Sequence, residues 1–313
     1  MSTSIKTALI TGGNGNLGRL VGAKLEREGV KVIRFDIPSS TDQPSNDPLE
    51  VLADIRDQQQ LDETISIHQP DTIYHLASLL SGSSEADPQS AWEINASASF
   101  TLLNLAQKHQ VSRFFFASTI ASYGSVEQNT MSQDYPQWPT NLYGVTKIAV
   151  ERLGVYFKLK HGLDFRCLRF PLVISPFAPT TAVTAYPSHA LRAAYLDQPF
   201  TFPVSRDVGM STIFLDDVVD SIIQITQADR LDLTQHAYSL HAFTLTTERV
   251  INAIVQRFPN FQYDHDVVDT VEDLIRNWPD SIDDHIAKQD WGWCPAYNFE
   301  QSIDRLIQML KEP

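Results

Sequence analysis

Tyr143 and Lys147 are separated by Gly-Val-Thr, so on a helix they stand on the same face, one turn apart. A phenol has a reference pKa near 10. To act as a general base at neutrality it must lose about three units, or about 4 kcal/mol. A neighbouring ammonium supplies part of this, because a nearby positive charge favours the phenolate. The bland alternative is a solvated Tyr/Lys pair on a helix surface. Upstream, the apolar run Phe114-Phe-Phe-Ala ends in Ser118 and Thr119. A hydroxyl at a strand end can bond an oxygen that gains or loses a proton. Thr119 is the expected contact, Ser118 its support, and Tyr123 is expected to line the same cleft. The alternative is a strand terminus whose hydroxyls bond backbone.

These side chains need a reaction partner, and the start of the chain supplies a place for one. Ala8, Leu9 and Ile10 form a short apolar run, followed by Gly12, Gly15 and Gly18 at three-residue spacing. Leu17, Leu20, Val21 and Leu25 then recur at helical spacing up to Gly29. Gly12 suits the positive φ of a tight turn. Gly15 lets a diphosphate approach backbone, Gly18 lets the helix pack closely, and the helix N-terminus offers N–H groups and partial positive charge. A second strand, Val30 to Phe35, leads to Asp36, whose carboxylate can accept ribose hydroxyls and repels a 2′-phosphate. The expected cofactor is therefore NAD rather than NADP, and its positively charged nicotinamide would favour the Tyr143 phenolate further. Lys147 would also bond the nicotinamide ribose.

The elements that position these residues alternate. Strands are expected at Val51 to Asp54, Thr72 to Leu76, Arg113 to Ala117 and Asp164 to Phe170. Helices are expected at Asp57 to His68, from about Pro88 to His109, and at Asn141 to His161, with a Ser/Gly-rich loop at Ser78 to Ser84. The rhythm predicts an α/β fold, a Rossmann-like doubly wound parallel sheet with right-handed crossovers and a ligand crevice beyond the strands' carboxyl ends. From Pro171 the prolines break the alternation. The expected division is an NAD-binding domain over 1–170 and a smaller α+β substrate lobe over 171–313, with 211–227 returning to the sheet. Asp216 or Asp217 would cap that returning helix, and Asn298 with Gln301 would form a capping box on the last one.

Composition excludes several classes. The 313 residues carry a formal charge of −14 with no basic cluster, which disfavours nucleic acid and anionic membranes. No long apolar span and no leader stand out. Two cysteines, Cys167 and Cys294, argue against a disulfide scaffold and fit a reducing cytoplasm, and no metal-ligand spacing occurs.

The glycine turn, Asp36, Asp54-Ile55, His75-Leu76-Ala77, Asn95, Ser118-Thr119 and Tyr143/Lys147 together resemble the extended short-chain dehydrogenase/reductase family. The resemblance implies that Tyr143 is the general base or acid, tuned by Lys147, and that Ser118 and Thr119 polarise the substrate oxygen. It implies that Gly12, Asn14, Gly15, Asn16, Leu17, Gly18, Asp36, Asp54, Ile55, Leu76, Ala77, Asn95, Tyr143, Lys147 and Phe170 contact NAD. Ser81, Thr119, Tyr143, Thr184 and Tyr186 would face substrate. Within the family, Ala91-Trp-Glu-Ile-Asn95, Asn277-Trp-Pro-Asp-Ser-Ile-Asp283 and Asp290-Trp-Gly-Trp-Cys-Pro-Ala-Tyr297 are similar to the short-chain-type L-threonine 3-dehydrogenases. Those tail aromatics are expected to pack the small lobe.

The stretch Ala178 to Tyr186 departs from that group: its glycines are missing, and Ala185 stands where an aspartate is expected. An ammonium substrate wants a carboxylate or carbonyls nearby, whereas a hydroxylated one does not. The expected activity is NAD-dependent oxidation of a small secondary alcohol bearing a carboxylate. A sugar-acid dehydrogenase, a sugar-nucleotide epimerase and a non-enzymatic NAD sensor are the alternatives. Family helices equivalent to 88–109 and 141–161 pair subunits, so a homodimer is expected, with Val150, Leu153 and Tyr156 as apolar positions.

Overall fold

The computed structural model describes residues 4–38, 47–127, 130–180 and 182–311. Contacts divide the chain into two units: 1–122, 141–169 and 219–238 form the first, and 123–140, 170–218 and 239–313 the second.

The first unit contains strands β1 (Thr7–Thr11), β2 (Lys31–Asp36), β3 (Glu50–Leu52), β4 (Thr72–His75), β5 (Arg113–Thr119) and β7 (Asp164–Phe170), close to where the apolar runs predict them. Its sheet has seven strands, completed by β11 (Tyr238–Ser239), in the order β11-β7-β5-β4-β1-β2-β3. The pairs β1/β2, β2/β3, β1/β4 and β4/β5 are parallel. Chain order reverses between β1 and β4, and at that reversal Thr11 lies in register with His75. Such a switch point opens a crevice at the strands' carboxyl ends. Helices α1 (Asn16–Arg27), α2 (Gln58–His68), α5 (Ala98–Lys108) and α6 (Leu142–His161) accompany the sheet. Core residues such as Leu9, Ile33, Ile73, Leu102, Phe114 and Val150 are fully buried, each worth about 1.5–3 kcal/mol of transfer free energy.

Three local features depart from the sequence expectation. Ser81 to Ala86 is a short helix, α3, where the Ser/Gly content suggests a loop. The long helix expected over 88–109 is broken: α4 (Pro88–Trp92) runs into one π-helical turn, Glu93–Ser97, before α5 begins. Such turns are often found at functional sites. Val150 is buried in the core cluster and Leu153 packs against it, so only Tyr156 of the three positions named for pairing is exposed.

To the second unit belong β6 (Thr130–Met131), β9 (Phe200–Phe202), α7 (Tyr186–Tyr195), α9 (Thr247–Arg257), α10 (Asp269–Arg276) and α11 (His285–Trp291). In the same unit, β8 (Leu172–Ile174), β10 (Gly209–Phe214) and β12 (Phe243–Thr246) form a separate three-stranded sheet. This corrects the expected return of 211–227: the strand pairs with β8 and β12, and only the part of α8 (Leu215–Gln227) from Val219 onward belongs to the first unit. Asp216 and Asp217 lie inside the first turn of α8 rather than capping it. Asp217, 1 % exposed, accepts the N–H of Ala296 at 2.7 Å and so holds the tail. The Trp293 indole donates to Asp284 from a buried position. Before α12 (Phe299–Lys311), Asn298 and Gln301 exchange reciprocal hydrogen bonds at 3.0 Å, the foreseen capping box. No helix among the described residues is long and apolar enough to cross a membrane.

Candidate active site

The glycine turn is fixed by backbone geometry. Gly12 has φ +72°, and a Cβ there would meet the Ala77 nitrogen at 2.8 Å, so the turn lies directly against Leu76-Ala77. A Cβ on Gly18 would stand 2.1 Å from the Gly12 carbonyl oxygen, which only glycine avoids. Gly15 is the N-cap of α1 and has no side chain with which to cap it, and no acidic residue occupies the first turn. Gly15 and Asn16 are exposed and Leu17 half-buried. A helix start built this way offers its N–H groups to an external anion. The residues therefore fit a dinucleotide: glycine turn for the diphosphate, and Asp36 at the end of β2 for a ribose. The Asp36 carboxylate also accepts the Asn14 N–H at 2.9 Å, while the Asn14 side-chain amide donates to Glu50.

At the switch point a buried polar chain ties the elements together. Thr11 Oγ1 lies 2.7 Å from His75 Nδ1, and His75 Nε2 lies 2.7 Å from Ser99 Oγ. Ser99 donates to the Asn95 carbonyl at 2.6 Å, so it accepts from Nε2–H, and Thr11 donates to Nδ1. The imidazole is thus neutral, and burial pulls its pKa down to about 3.

Asn95, in the π-helical turn, is 2 % exposed. Its Oδ1 accepts the Leu79 N–H at 2.8 Å and its Nδ2 donates to the Leu79 carbonyl at 3.0 Å and to Thr146. Both ends of the amide hold the segment after Ala77 and α6, which corrects the expected cofactor contact to a positioning one. Asp54 is held by Arg56 through two guanidinium nitrogens, and Ile55 is packed in the core.

Asn141 caps α6 by accepting the Gly144 N–H, and this sets the phase of the helix. Lys147 is buried; its Nζ donates to the Ala117 carbonyl at 3.0 Å, sits 4.8 Å from the Phe116 ring centre and 5.4 Å from that of Tyr143. Burial lowers the Lys147 pKa to about 8, partly offset by the neighbouring Cys167 and Glu151 side chains. Burial raises the Tyr143 phenol above its ordinary value. Thr119 Oγ1, at the end of β5, accepts the Ala121 N–H at 3.2 Å and remains half-buried.

Other expectations are revised. The Ser118 hydroxyl donates to Glu151 Oε1 at 2.5 Å, and Arg169 closes on the same carboxylate at 2.8 Å, so Ser118 is committed to a buried ion pair rather than to a substrate oxygen. Glu151 is not among the residues expected from sequence, although its spacing of four from Lys147 places it on the same helix face. In the second unit, the Tyr123 hydroxyl lies 2.8 Å from Ser239 Oγ in a buried contact, and the Tyr186 hydroxyl lies 2.7 Å from Thr247 Oγ1 with its ring against Phe202. Both tyrosines belong to the core of that unit, which corrects their assignment to the cleft. Ser81 opens α3, Thr184 is half-buried in a short 3-10 turn, and Ala185 and Phe170 are buried. Thr181 of the same stretch lies outside the described residues.

The sheet, glycine turn and Tyr/Lys pair define a nucleotide-binding α/β enzyme, and comparison with known proteins agrees. The model of the NAD dependent epimerase/dehydratase family matches residues 8–240. An uncharacterized epimerase/dehydratase of Staphylococcus saprophyticus is 33 % identical over 314 residues, covering 98 % of both chains. Among solved structures, the L-threonine dehydrogenase of Clostridium difficile superposes with a TM-score of 0.92 at 28 % identity over 99 % of both chains. The holo form of the GalE-like L-threonine dehydrogenase of Cupriavidus necator gives 0.90 at 28 % identity, covering 97 % of this chain and 99 % of that one. The chain belongs to the NAD-dependent epimerase/dehydratase family. It is an enzyme of the extended short-chain dehydrogenase/reductase type, and its cofactor is NAD.

Proposed function

We propose that the protein oxidises a small secondary alcohol bearing a carboxylate, as an L-threonine 3-dehydrogenase does. The observation that carries the reading is the Lys147 nitrogen lying 5.4 Å from the Tyr143 ring centre on α6, beside the hydroxyl-bearing end of β5. The solved relatives named as L-threonine dehydrogenases support the substrate class. Gly12, Asn14, Gly15, Asn16, Leu17 and Gly18 hold the diphosphate, Asp36 the adenosine ribose, and Leu76 and Ala77 line the cofactor. Bound NAD supplies the hydride acceptor. Tyr143 removes the hydroxyl proton as the carbon is oxidised, Thr119 hydrogen-bonds the same oxygen, and Lys147 stabilises the phenolate. With L-threonine the product is 2-amino-3-ketobutyrate.

A second reading rests on Ala185. A buried methyl stands where an ammonium substrate would want a carboxylate, which favours a hydroxylated sugar acid of similar size. The enzyme works in the cytoplasm and pairs as a homodimer through α5 and α6, where exposed Phe100 and Tyr156 flank buried Phe157.

The test is NADH formation by purified protein with L-threonine, L-serine, D-erythronate and UDP-galactose. Turnover of L-threonine supports the first reading, and turnover of D-erythronate alone the second. Conversion of UDP-galactose without net NADH release would replace both with an epimerase.

A further inference from the structure

The order in which Lys147 and Tyr143 give up their protons decides whether α6 carries a working base. Burial disfavours the charged form of both side chains, pushing the amine down and the phenol up. With burial alone the lysine would become neutral before the tyrosine ionised, leaving a neutral amine beside a neutral phenol. Something must hold the ammonium.

Glu151 stands one helical turn beyond Lys147, and its side chain is 2 % exposed. Its carboxylate is fixed from two strands: Ser118 at the end of β5 donates to Oε1 at 2.5 Å, and Arg169 near the end of β7 donates through Nε at 3.0 Å and Nη2 at 2.8 Å. A carboxylate this deep needs charge-assisted donors such as these. The clamp fixes a negative charge next in line on the face that carries Lys147 and Tyr143. We propose that Glu151, clamped by Ser118 and Arg169, is the positioning residue whose charge keeps Lys147 an ammonium while Tyr143 ionises.

The other groups around Lys147 do not take this part. From its own helix, only Tyr143 and Glu151 face it with titratable groups. From β5 come the Phe116 ring face and the Ala117 carbonyl, and the carbonyl can accept from amine or ammonium alike. From β7 come Cys167, a buried thiol held neutral, and Arg169, whose positive charge opposes an ammonium and is answered by Glu151. From β4 comes His75, neutral at physiological pH. Glu151 is thus the anion among the described residues on these elements that bears on the amine.

The inference rests on the reading of Tyr143 as base, and the experiment separates the two. Tyrosinate absorbance of the NAD-loaded protein is titrated against pH and read as the difference between each background and the same background carrying Tyr143→Phe. In the otherwise native protein, Tyr143 titrates below the ordinary phenol value of about 10. In Glu151→Gln the midpoint rises by about one pH unit or more, a tenfold loss of acidity. Glu151→Asp, which keeps the charge, recovers most of the shift. A merely structural Glu151 would lower thermal stability or NAD affinity without moving the midpoint, and an unmoved midpoint overturns the inference alone. If Glu151→Gln fails to fold, as judged by circular dichroism, Glu151→Met, uncharged and of similar length, carries the test with the same upward shift, and an unmoved midpoint overturns the inference. Absence of any Tyr143 titration below about pH 10 in the native protein removes the base and this inference with it.

Discussion

Lys147 Nζ stands 5.4 Å from the centre of the Tyr143 ring, buried, with its hydrogen bond directed to the Ala117 carbonyl at the end of the fifth strand. The helix supplies the spacing, the Asn141 cap supplies the phase, and the strand supplies the acceptor. The arrangement costs stability: a buried ammonium is less favourable than a buried hydrocarbon of the same length.

The cost of Lys147 is measurable. Its folded-state pKa is lowered to about 8 from 10.5, so the unfolded chain binds more protons between those values. Stability therefore rises as pH climbs through that window, and the penalty is fully present at neutral pH. Lys147→Met should raise the unfolding free energy at pH 7 by about 2 kcal/mol, about 3 kcal/mol of relieved burial less about 1 kcal/mol for the abandoned Ala117 bond. Turnover should fall by about 100-fold or more. Urea denaturation beside NADH assays reads both, and an unchanged or lower stability would contradict the burial argument.

His75 sets an acid limit. Its pKa falls from 6.5 to about 3 on folding, because burial disfavours the charged ring and the Lys147 charge adds to this; the neutral ring sits between Thr11 and Ser99. The unfolded chain binds the extra proton, so stability is lost as pH drops below 6.5, by about 1.4 kcal/mol per unit. His75→Gln should be less stable at pH 7 yet show a shallower decline between pH 6 and 4. Parallel declines for the two proteins would mean the acid sensitivity lies elsewhere.

Asp36 sets cofactor choice. Its carboxylate steadies the glycine turn through the Asn14 N–H, and Glu50 binds the Asn14 side chain. Asp36→Ser should weaken NAD binding about tenfold and reduce the preference for NAD over NADP by a similar or larger factor. Because Glu50 remains, NADP should not become the preferred cofactor. Fluorescence titration with both dinucleotides checks this; an unaltered ratio would remove Asp36 from ribose recognition.

The sheet was legible because its strands are short apolar runs separated by strong punctuation, and Gly12, Gly15 and Gly18 announced the turn by type and spacing. Tyr143 and Lys147 were legible for the same reason, since helical period fixes which side chains meet. What stayed hidden depends on contacts distant in sequence. Ser118 and Thr119 are adjacent hydroxyls, and only the buried Glu151–Arg169 pair shows that Ser118 turns away. Tyr123 and Tyr186 looked like cleft residues until Ser239 and Thr247 claimed their hydroxyls from more than 60 residues away. The strand at Gly209–Phe214 carries no mark of which sheet it joins, and pairing with Leu172–Ile174 decides it. The π-helical turn at Glu93–Ser97 likewise leaves no signature in a helix-forming sequence.

The central claim is that the Tyr143 hydroxyl moves the substrate proton, and Tyr143→Phe removes that oxygen while keeping the ring that packs beside Lys147. Measured with the most active alcohol of the panel, kcat should fall by about a thousandfold, within the range of lost acid–base catalysis, while the Kd for NAD changes less than about threefold. A Tyr143→Phe protein that reduces NAD at a rate near the native one would contradict the account.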